Sequence, residues 1–178
     1  MEQIKRSALI VSLIEALREH GSWCGETHIQ KALYCLQVVN QVPTEFDFIL
    51  YKHGPFSFDL RDALTEMRAN GLMDMRQNYP YGPSLFPTSK GKALIDKFPK
   101  TVRKYKNAID YIADAFGSRG VAELERLSTA LYVTKDLDME SKDAEERAEL
   151  LQELKPHIPH AKAKEAVEEV DVLLEEAT

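Results

Sequence analysis

The chain has 178 residues, 44% apolar and 29% charged, with a formal net charge of -6 and two cysteines. That composition is ordinary for one well-buried globular domain and excludes a disordered chain. Two cysteines are too few for a disulfide framework, and no 18-residue apolar run is present, so the reading is a cytoplasmic protein with buried free thiols and no membrane partner.

From Ile4 to Glu19, the apolar set Leu9, Ile10, Leu13, Ile14 and Leu17 recurs at helical spacing, and Gly21 follows as the stop. Thr27 and Gln30 have the spacing of a capping box ahead of Ile29, Leu33 and Leu36, which predicts a second helix running to about Asn40. In Glu45 to Lys52, the residues Phe46, Phe48 and Leu50 alternate with polar ones, which predicts a short extended segment ended by Gly54 and Pro55.

Ser57 is a natural N-cap for a third helix that buries Leu60, Ala63, Leu64 and Met67 before Gly71. The stretches LMDMRQ and SLFPT flank the turn-rich segment 78–83 and predict a small hairpin. Helix, helix, helix, hairpin is the order of a winged helix. The roughly 15 residues between helices two and three exceed the three or four of a plain helix-turn-helix, and an inserted strand accounts for them.

Beyond the hairpin, Thr88 to Phe98 reads as a short helix, and Pro99 opens another with Val102, Tyr105, Ile109, Ile112 and Phe116 on one face. Leu124, Leu127, Leu131 and Tyr132 mark the next helix. A polar loop over Lys135 to Glu146 precedes a helix near Glu145 to Leu154, and after Pro156 and Pro159 a last helix carries Ala166, Val170 and Leu173. The expected fold is mainly α with a small β component: a winged-helix-like half over residues 1–98 and a C-terminal helical half over 99–178, packed as one cooperative domain.

The charge is segregated. Residues 1–88 hold 8 basic and 10 acidic groups, residues 89–106 hold 7 and 1, and residues 107–178 hold 8 and 18. The basic stretch is read as solvated or paired within the chain; anionic partners and pairing with the acidic end of a second copy, hence a homodimer, stay open.

Arg61, Thr65 and Arg68 share one face of the third helix, and with Arg76 on the hairpin and Lys90 and Lys92 behind it they are the candidate nucleic-acid contacts. Asp59, Asp62 and Glu66 on the same helix oppose a duplex reader, because each would meet phosphate of like charge. The aromatic residues Tyr51, Phe56, Tyr79 and Tyr81, with His53, are the candidate partner-binding set. No phosphate-cradling glycine loop, Gly-x-Ser-x-Gly or His-Glu-x-x-His is present, and His53 has no nucleophile to serve, so it reads as a packed histidine donating to a backbone carbonyl. The pairs Cys24 with His28 and His157 with His160 lie too far apart in sequence for a zinc site, so neither metal nor cofactor is expected.

The ordered stretches ETHIQKALYCLQ, FDFILYKHGPFSFDLRDAL, ANGLM, LFPTSKGKAL, ELERLSTALYVTKD and LKPHIPHAKAKEAVEEVDVLLEE resemble the small bacterial and archaeal YwgA-like proteins and, more distantly, the Panacea antitoxin domain. The most specific element is Tyr51-Lys52-His53-Gly54-Pro55-Phe56-Ser57, leading directly into helix three. The resemblance implies a mostly helical fold with a small sheet and no known enzymatic activity, and for Panacea domains an antitoxin role that neutralises a protein toxin. The sequence thus points to a non-enzymatic interaction or regulatory module with a protein partner, with a winged-helix DNA-binding regulator as the alternative.

Overall fold

Apolar residues at helical spacing set the helices, and polar caps start them. The computed structural model describes residues 1–177. In chain order the elements are α1 (Gln3–Glu19), α2 (Glu26–Val38), β1 (Ile49–Tyr51), β2 (Gly54–Phe56), α3 (Phe58–Ala69), β3 (Met73–Asn78), β4 (Tyr81–Pro87), α4 (Ser89–Lys97), α5 (Pro99–Phe116), α6 (Val121–Lys135), α7 (Ala144–Leu154) and α8 (His160–Glu176). The fold is mainly α, with two separate two-stranded antiparallel sheets, β1–β2 and β3–β4.

α3 begins as its sequence dictates: Leu60 N donates to Ser57 Oγ at 3.2 Å, and Leu60, Leu64 and Met67 are buried. Thr88 caps α4 in the same way, accepting from Gly91 N at 3.1 Å. Gly91 is there because nothing larger fits: a Cβ would lie 2.1 Å from the Leu72 carbonyl oxygen. Pro99 sits in the first turn of α5, where its missing N–H costs nothing.

Two local expectations are overturned. Thr27 and Gln30 form no capping box: Gly25 is the N-cap of α2, with no side-chain cap, and Gln30 is fully buried with its amide turned to Ser57. The inward-facing Gln finds two backbone partners there, which outweighs a cap exposed to water. Gly54 and Pro55 likewise do not end an extended segment. They are the second strand of a hairpin, with Tyr51 opposite Gly54 and Ile49 opposite Phe56, while residues 45–48 lie outside the sheet. The φ of +90° at Gly54, awkward for any residue with a Cβ, closes the two-residue turn at Lys52 and His53.

One continuous core joins the sequence halves. α1 buries Ala8, Leu9, Ile10, Val11, Leu13, Ile14, Ala16 and Leu17, and packs on α5, α4 and β4. α2 packs on α5, α6 and β2, and β2 itself rests on α6. Cys24 and Cys35 are free and buried, and burial raises both thiols above their usual range. The basic stretch is tied to neighbours close at hand rather than to α7 or α8. Lys92 pairs with Glu15 at 3.1 Å, Lys106 pairs with Asp110 at 2.7 Å, and Lys97, Lys100 and Arg103 are exposed. The acidic C-terminal third supplies cations of its own, as in the two-pronged contact of Arg147 with Asp171, both bonds 2.7 Å.

Candidate functional site

The backbone of Tyr51, Lys52, Pro55 and Ser57 is held by side chains far away in sequence. Lys155, in the α7–α8 connection, donates from Nζ to Tyr51 O at 2.6 Å and to Lys52 O at 2.7 Å. Lys31, on α2 and 1% exposed, donates to Pro55 O at 2.7 Å. Gln30 Nε2 donates to Ser57 O, and Ser57 N donates to Gln30 Oε1, both at 2.9 Å. Gly54 lies so close to α6 that a Cβ would stand 3.0 Å from Thr129 Oγ1 and 3.1 Å from Ser128 Oγ. Ser128 and Thr129 on α6 and the absence of a side chain at Gly54 let β2 lie close on the helix.

Beneath the turn is Glu125, on α6 and 7% exposed. His157 Nε2 lies 3.2 Å and Lys155 Nζ 3.7 Å from its Oε1, and His53 Nδ1 lies 3.8 Å from its Oε2. Three stretches that the sequence keeps 70 and 30 residues apart therefore meet at one carboxylate. His53 is thus not a packed histidine bound to a carbonyl: it is exposed on its outer side and faces Glu125, because a two-residue turn leaves its side chain at the hairpin tip. Burial lowers the Lys31 ammonium to about 8, a shift resisted by Glu125 and aided by Lys155. Glu125 is the carboxylate that offsets two buried ammonium groups in a region of low dielectric. His53, Glu125 and His157 are not gathered in metal-ligand geometry, and no group of three such side chains is, among the described residues.

Above this network the hairpin presents aromatic rings to solvent. Tyr51, Phe56 and Phe58 contact one another with centroids 5.1 to 5.6 Å apart, and Arg61 lies 5.0 Å over the Phe58 ring. Tyr51 is 51% and Phe58 41% exposed, and Ile49 extends the patch along β1. Rings already packed on one another lose little further freedom when a partner covers them.

The candidate partner-binding residues fall into two places. Tyr51, His53 and Phe56 belong to the platform and its turn; Tyr79 and Tyr81 stand at the tip of β3–β4, where Tyr81 meets Trp23 edge-on at 5.7 Å. The candidate nucleic-acid contacts divide as well. Arg61, Thr65 and Arg68 are exposed on α3, with Arg61 3.6 Å from Asp62 and the Thr65 hydroxyl donating to Arg61 O. Lys90 donates to Asn70 O, Lys92 pairs with Glu15, and Arg76 lies over Phe86.

Sequence reasoning passed over Phe58, Lys31, Glu125 and Lys155. Phe58 carried a signal, an aromatic at the first helical position that no core stripe claims; the buried charges carried none, since only folding brings them together. No protein-family model matches the chain, and no curated protein matches it.

Proposed function

We propose that this chain is a non-catalytic cytoplasmic interaction module that seats a protein partner on the Tyr51–Phe56–Phe58 platform. The observation that carries the reading is an exposed aromatic cluster whose backbone is fixed from below by Lys31, Lys155 and Gln30. Aromatic residues flanked by arginine are the side chains that dominate binding energy at protein interfaces, and a preorganised backbone lowers the ordering cost. The resemblance to YwgA-like proteins and the Panacea domain supports an antitoxin-like role, in which the partner is a toxin. A protein suits α3 better than a duplex does, because Asp59, Asp62 and Glu66 line its exposed side with Arg61 and Arg68.

The test is a comparison of the tagged full chain with its Y51A/F58A double variant, both checked for unchanged helicity by circular dichroism. A stoichiometric partner should co-purify with the parent and bind the double variant at least tenfold more weakly. Equal binding by the two chains, or no stoichiometric partner for the parent, overturns the proposal.

A further inference from the structure

A second site lies apart from the platform, in a cleft of about 400 Å³ between the C-terminal half of α1, the β3–β4 hairpin and the start of α4. That volume is within the range of about 300–1,000 Å³ typical of small-molecule sites. Its floor is Phe86, and two guanidinium groups converge on that one ring, Arg18 at 5.8 Å and Arg76 at 5.7 Å from its centroid. Arg18 is fixed there by Nη1, which donates to Ser84 Oγ at 2.9 Å and Leu85 O at 3.1 Å, leaving its remaining N–H groups for a ligand. Arg76 is exposed and lies over the same Phe86 ring.

The side wall is Trp23, 39% exposed, with its indole N–H bound to Gly82 O at 3.0 Å and its ring 5.7 Å from that of Tyr81. With the N–H already satisfied, the exposed part of the ring that lines the cleft has only its π surface to offer a ligand. The acidic residues do not cancel the cations. Lys92 holds Glu15 at 3.1 Å, so Arg18 and Arg76 face Glu19 alone, and the cleft keeps one net positive charge.

We propose that this cleft binds a nucleoside monophosphate or a ligand of the same chemistry, a planar ring joined to a phosphomonoester. Trp23 stacks on the ring, Arg18 and Arg76 take the phosphate oxygens, and Glu19 accepts from a hydroxyl or amino group between them. Two planar guanidiniums with several donors each match a dianionic phosphate better than a carboxylate, which would leave one of them unused.

Trp23 is the only tryptophan of the chain, so its fluorescence reports on the cleft directly. The experiment titrates the full chain with a purine nucleoside 5′-monophosphate, the matching nucleoside, inorganic phosphate and a short single-stranded oligonucleotide without a terminal phosphate, with calorimetry alongside. The expected result is saturable binding of the monophosphate, at least tenfold tighter than any other arm. Arg76 is exposed, so R76A should fold normally and bind at least tenfold more weakly. No saturable binding by about 1 mM ligand, a level that corresponds to only about 4 kcal/mol, overturns the proposal. So do an R76A variant that binds like the parent, phosphate alone binding as well as the nucleotide, and preference for the oligonucleotide strand. None of these outcomes depends on the platform, whose variants Y51A and F58A should leave the titration unchanged.

Discussion

The two hairpins solve the problem of placing aromatic residues in solvent in opposite ways. β1–β2 is three residues a side and is held from beneath by two ammonium groups and an amide, with the Glu125 carboxylate near the ammonium charge, so its rings are fixed where they stand. β3–β4 is twice as long and is fastened along β4 alone, where Leu85 N donates to Cys24 O, Ser84 Oγ to Trp23 O and the Trp23 indole N–H to Gly82 O; Tyr79 in its turn is 99% exposed. A short strand pair cannot stabilise itself, so its geometry must be imposed by the layer below. Buried charge achieves that at the cost of dehydrating every group involved.

The contrast can be broken most severely at Glu125. Removing the carboxylate in E125A leaves Lys31 and Lys155 buried without a counter-charge, an expected loss of about 3–5 kcal/mol in urea unfolding. A loss under about 1 kcal/mol would mean that the hairpin is held by its backbone bonds alone.

Lys31 sharpens the comparison through pH. Its ammonium is lowered to about 8 in the folded chain against an ordinary 10.5. Between those values the unfolded chain binds the proton and the folded chain does not, so this group makes stability rise with pH across the window, by up to roughly 3 kcal/mol. K31M should flatten that rise when the two chains are unfolded at a series of pH values from 8 to 10.5, and an unchanged slope would contradict the burial of the charge. At the other hairpin the effect should be smallest. Y79S should change stability by no more than about 0.5 kcal/mol, and a larger loss in the same unfolding assay would show that the tip is packed.

How much of this was legible beforehand depends on the range of the interaction. The helices follow from local patterns: the stripe of α1, the caps at Ser57 and Thr88, and the proline opening α5 all act within a few residues. β1–β2 was misjudged because Gly54 and Pro55, breakers in isolation, are held as a strand by Lys31 and by the flat seat on α6. Gln30 has capping-box spacing and serves another end because Ser57 comes within reach only in the fold. Glu125, Lys31 and Lys155 draw no reading from the sequence, since nothing local says that β2 will cover them.

The junction between α3 and α4 has a mechanical consequence. There Thr88 N and the Gly91 α-carbon both abut the Leu72 carbonyl, Thr88 Oγ1 donates to Gly71 O at 2.6 Å, and Lys90 reaches Asn70 O at 2.8 Å. Main chain meets main chain with no compressible side chain between, so the base of β3–β4 behaves as the clamped end of a cantilever. Bending is thereby kept away from that base, and a displacement there is passed on to the start of α4.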